Sequence, residues 1–149
     1  MAIRLGLNAK LYRNTGTYAT PAWNEIANVK DVTLNLESGE ADVTTRANNG
    51  WRATAQTLKD ASIEFEMVWD TEDADFDAIK DAYLGNTTLE ILALDGPVSG
   101  AGSTGNQGLR ATCSVTAFSR SEPLEEALSV SVTLKPAYAA NAPSWFEVP

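Results

Sequence analysis

Two segments and a dipeptide decide the fold: Lys30-Asp31-Val32-Thr33-Leu34-Asn35-Leu36, then Asn49-Gly50, then Ile63-Glu64-Phe65-Glu66-Met67-Val68-Trp69. Asn-Gly is a strong hairpin signal, because a type I′ turn needs positive φ at both central residues. Folding the chain back at Asn49-Gly50 sets Val32 opposite Met67, Leu34 opposite Phe65 and Leu36 opposite Ile63. Apolar then meets apolar on one face. On the other, Thr33 meets Glu66 and Asn35 meets Glu64. A one-residue slip would set apolar against polar, so pattern and turn agree on one register. The outer part, Ser38–Asp60, is Ala, Thr, Asn and isolated charges. It has too little apolar surface to pack on its own domain, and such an arm reaches for something else.

The 149 residues suffice for one domain with a real core. No apolar run approaches a membrane span. Met1-Ala2-Ile3-Arg4-Leu5 lacks an apolar signal core, so a chain made and kept in a cytoplasm is expected. The single cysteine, Cys113, lies in an alternating strand and reads as a buried thiol rather than a nucleophile. The absence of histidine removes the commonest general base and the commonest metal ligand. A net charge of −9 argues against tight nucleic-acid binding. Residues 61–95 hold ten Asp/Glu against one Lys, whereas residues 1–60 hold six against seven Lys/Arg.

Residues 3–12 alternate, with Ile3, Leu5, Leu7, Ala9 and Leu11 on one side, and read as a half-buried strand. Trp23 and Ile26 are expected to seal the core from the loop that follows. Glu64 and Glu66, next-but-one on a strand, stand about 7 Å apart. That spacing suits glycosidase carboxylates, but no aromatic platform or third polar group accompanies them, so solvated glutamates are the better reading. Thr71–Gly85 reads as a helix capped by Thr71 or Asp73 and closed by Gly85-Asn86, with Phe76, Ile79 and Tyr83 as its packing stripe. Its acidic start lacks the glycine and terminal glutamate of an EF-hand loop; it suits the helix dipole instead. Leu89–Leu94 is apolar enough to be covered on both faces. Gly96–Gly108 has no Gly-Lys-Ser/Thr ending and is no phosphate loop; mobility or an assembly-dependent conformation is expected. A strand over 110–119 points Cys113, Val115 and Ala117 inward, and a strand over 127–135 does the same with Leu128, Val130, Val132 and Leu134. Pro136–Pro149 reads as a tail with exposed Trp145 and Phe146.

This order of elements resembles the major tail (tail-tube) proteins of long-tailed bacteriophages. The residues carrying the resemblance, Val29–Leu34, Asn49-Gly50-Trp51, Ala61–Trp69 and Glu125–Pro136, are spread over about two-thirds of the chain. It implies an antiparallel β-sandwich or barrel, mainly β, with one flanking helix and a long hairpin arm. It also implies a non-enzymatic subunit of hexameric rings, stacked into a virion tail tube that delivers DNA and is assembled in a bacterial cytoplasm. No cofactor or membrane is implied. The partners are further copies and, by the same resemblance, tape-measure, tail-terminator and baseplate proteins, with DNA passing unbound. Thr33, Asn35, Glu64, Glu66, Ser129, Ser131 and Thr133 are the expected channel-lining residues. Arg46, Asn49, Gly50, Trp51, Arg52 and Lys59 are the expected arm contacts, with the three cations meeting the acidic helix start of a neighbour. The alternatives are a carbohydrate-binding β-sandwich, suggested by Trp23, Trp51, Trp69 and Trp145, and a related tail-terminator or head–tail joining ring.

Overall fold

A computed structural model describes residues 3–149; Met1 and Ala2 lie outside the described residues. The strands are β1 (Lys10–Asn14), β2 (Trp23–Glu25), β3 (Val29–Asp42), β4 (Thr54–Val68), β5 (Thr88–Leu94), β6 (Gln107–Ser121), β7 (Ser129–Pro136) and β8 (Ser144–Glu147). Among the described residues a single α-helix, α1 (Ala74–Gly85), stands between β4 and β5. Every strand pairing is antiparallel, in the order β2-β1-β5-β6-β7-β4-β3, with β8 added to β6.

β6 joins two layers. Residues 108–114 pair with β5, and residues 113–121 pair with β7. Between the layers lie Leu11, Ile63, Phe65, Met67, Ile91, Cys113, Val130, Val132 and Leu134, with Phe76 and Ile79 of α1. Trp69 meets Phe76 edge-on at 4.8 Å between centroids, a geometry that adds to burial. Burial pushes the Cys113 thiol up to about 12, so it stays protonated and inert. A bulge between Val115 and Ala117 reverses the facing of β6. Consequently Ala117 leaves the core and Phe118 packs into it, against the simple alternation read from sequence.

The hairpin pairs on the expected faces but in a different register. Leu34 faces Ile63, Thr33 faces Glu64 and Asn35 faces Ser62, each two residues from the expected partner. The Asn49-Gly50 turn does form: both residues have positive φ (53° and 84°), and the Trp51 amide donates to the Asn48 carbonyl at 3.0 Å. However, a 3-10 turn at Arg46–Asn48, capped by the Thr45 hydroxyl, consumes extra residues on the first limb only. A bulge near Gly39 then returns part of the offset. A shift of two preserves the facing, because strand side chains repeat every two residues. Val32 and Leu36 remain exposed rather than buried. A second irregularity falls at Asp31, whose φ is 55°.

Two other expectations change. Ile3–Leu7 is not strand: its alternating apolar side chains meet no pairing partner, and a 3-10 turn at Gly6–Asn8 precedes β1. The tail forms β8, placing Phe146 against Trp23 while Trp145 stays exposed. The glycine-rich loop is clasped by Asn106, whose amide nitrogen donates to the Pro97 and Gly102 carbonyls.

In α1, Asp73 is the N-cap and accepts from the Asp75 amide at 3.1 Å; Asn86 closes the other end in the left-handed region. Phe76, Ile79 and Ala82 are buried, whereas Tyr83 stands at the rim, stacked on Phe118. The helix is bolted to the sheet by Asp75. Its carboxylate accepts from Arg13 Nε at 2.9 Å and twice from the Asn24 amide.

Candidate assembly surfaces

Four strands, β3-β4-β7 and the second half of β6, form a ribbon with two unlike faces. One is apolar and turned to the core. The other carries Thr33, Glu64 and Thr133 in one row and Glu66 beside Ser131 in the next. Asn35 is joined to Ser62 by a 3.2 Å hydrogen bond, and Ser129 stands beside Val68. All seven side chains assigned to a channel from sequence therefore share one face. The only internal ion pair there, among the described residues, is Lys30 with Glu66 at 3.7 Å.

Both long edges of this ribbon are open. Among the described residues β3 pairs with β4 alone. Residues 115–121 of β6 pair with β7 on one side, while their other edge lies beyond the reach of β5, whose pairing stops at Ser114. Unpaired edges of this length are templates for another chain.

The arm extends from the ribbon along the strand direction. No residue from Ser38 to Asp60 is buried. At its base Leu36 meets Ala61, and strand pairing continues outward to Asp42 and Thr54. The Thr44 hydroxyl and amide hold the Asp42 carboxyl below its ordinary value and fix the start of the tip. Arg46, Asn49, Gly50, Trp51 and Arg52 cluster at that tip, with Trp51 78% exposed. Lys59 stands apart from them, opposite Ser38 at the arm's base. None of the three arm cations lies within ion-pair distance of a carboxylate among the described residues.

A second buried polar knot secures the body. Arg110 pairs with Glu90, donates to the Tyr18 carbonyl at 2.7 Å, and lies 3.9 Å from the Tyr18 ring centroid. Asn14 completes it by donating to Glu90 at 2.7 Å. Sequence reading missed this cluster, because its partners come from β1, the following loop, β5 and β6. The four tryptophans are equally dispersed: Trp23 packs on Phe146, Trp69 on Phe76, Trp51 is at the arm tip, and Trp145 is bonded to Gln107 on β8. They form no common sugar-stacking platform.

A family profile described as phage tail tube protein matches residues 9–139. The tail of an empty gene transfer agent particle, refined with C6 symmetry, is similar with a TM-score of 0.73 at 16% identity, over 97% of this chain and 99% of that one. The SPP1 tail tube is similar with a TM-score of 0.67 at 18% identity, over 89% and 75%. A chain of the anti-feeding prophage baseplate follows at 0.58 and 9% identity, over 95% and 93%. At these identities the structural likeness concerns the fold. No curated protein sequence matches the chain.

Proposed function

The chain belongs to the phage tail tube protein family, structural components of the virion tail, and from that premise we propose how its own surfaces build the tube. The open edge of β3 in one copy pairs with residues 115–121 of β6 in the next. Along the ribbon the strands alternate in direction, so β6 and the neighbouring β3 meet antiparallel when all copies point the same way. The contact joins two different edges, so it is heterologous and closes by rotation. Six copies, the symmetry of the gene transfer agent tail, give a continuous barrel. At four strands per copy and about 4.8 Å per strand, that barrel is at least about 37 Å across its backbone, which admits a DNA duplex.

The polar face turns inward. α1 and the β1-β2-β5 layer lie behind the apolar face, and the reverse orientation would fill the lumen with them. Thr33, Asn35, Glu64, Glu66, Ser129, Ser131 and Thr133 then line the channel. These seven side chains offer phosphate no counter-charge, and of the two lysines on the same face, Lys30 and Lys135, the first is paired with Glu66, so the duplex is only weakly held. The arm leaves the ring along its axis and engages another copy. Tape-measure, terminator and baseplate proteins are the partners such a tube requires inside it and at its ends.

The observation that carries this reading is the single polar face on a ribbon with two open edges. Its test is negative-stain microscopy of the concentrated full chain, with and without a tail-initiation complex. Rings and tubes with a central channel are expected; dispersed monomers under every salt and concentration would overturn it.

A further inference from the structure

The two ends of the ribbon differ in charge, and that difference names the surface that receives the arm. Residues 43–59 contain Arg46, Arg52 and Lys59 and no carboxylate. Their tip adds Trp51, open to water. At the opposite end, β4 stops at Val68 beside Ser129, and Ser129 stands beside Ser121. The turn after β4 and the turn before β7 therefore emerge together. They bring Asp70 and Glu72 to the same pole as Glu125 and Glu126, all exposed and without an ion-pair partner among the described residues. Leu124, which precedes Glu125 in the chain, is 100% exposed.

We propose that the arm tip of one copy docks on this carboxylate-rich pole of a second copy, with Trp51 against Leu124 and Arg46 and Arg52 among the four acids. The proposal rests on the tube reading and specifies how its rings stack. Complementary charge sets the register and repels the reverse orientation. Because giver and receiver occupy opposite poles, copies that all point the same way meet head to tail, and the contact propagates along the axis. The helix start expected from sequence is a poorer receiver. Asp75 is committed to Arg13 and Asn24, Asp73 to the helix cap and Asn28, and Asp77 to Lys80. Glu122 is likewise taken by Arg120 at 2.7 Å.

Charge exchange in the full chain tests it. Arg46→Glu with Arg52→Glu, and separately Glu125→Lys with Glu126→Lys, should raise the protein concentration needed for tubes by about tenfold or more while single rings persist. Combining all four substitutions should return it to within about threefold of the unmodified chain. Tubes at the unmodified concentration in either double variant, or no recovery in the combination, would overturn the docking. Should a charge variant fail to fold, Trp51→Cys with Leu124→Cys in one chain gives the answer on oxidation of tubes. Covalent multimers support the docking, and their absence overturns it; Cys113, 1% exposed, does not interfere. An unmodified chain that forms neither rings nor tubes fails the tube reading itself, and the docking with it.

Discussion

Asp75 shows how one residue joins the helix to the sheet. It occupies the first turn of α1, where the exposed amides favour negative charge, yet it is 4% exposed and owes its place to Arg13 and Asn24. Removing one member of a buried pair strands the other. Asp75→Ala should therefore cost about 3 kcal/mol in urea or guanidinium unfolding, the low end for such pairs because Arg13 keeps some water contact. A loss below about 1 kcal/mol would show that the pair is dispensable. The acidic run was legible in the sequence as a helix start, and Asp73 as a possible cap. The burial of Asp75 was not, because its partners lie on β1 and β2, more than fifty residues away. Arg110 and Glu90 escaped for the same reason.

At the scale of the element, the hairpin separates what alternation determines from what turns determine. Facing follows from a two-residue period, so the polar and apolar sides were readable. Register depends on residues consumed at the tip and at bulges. Asn49-Gly50 formed its turn, but Arg46–Asn48 and the bulge near Gly39 moved the pairing by two. Likewise Ile3–Leu7 has a strand's alternation but no strand beside it to pair with. The arm carries no buried residue, so deleting residues 41–57 should leave a cooperatively folding monomer. Its unfolding midpoint should lie within a few degrees of the full chain's, and it should form no tubes. Collapse of the folded body by circular dichroism would assign the arm to the core, and unimpaired tubes would remove its role between copies.

The whole molecule reads as one repeat of a larger sheet. Its apolar face is satisfied by α1 and the second layer, its polar face is open, its two long edges are unpaired, and its two ends carry opposite charge. The sequence made the polar face visible through Thr33, Asn35, Glu64, Glu66 and the serine-threonine alternation of β7. It could not show that the second edge of β6 is free, since that depends on the pairing with β5 ending at Ser114. Nor could it bring Asp70 and Glu125 to one pole. A helical reconstruction of tubes grown from the full chain, at a resolution that traces side chains, tests the central claim most directly. β3 of each copy should be hydrogen-bonded to residues 115–121 of its ring neighbour, with Glu64, Glu66 and Thr133 facing the lumen. An unpaired β3, or those side chains on the outer wall, would contradict it.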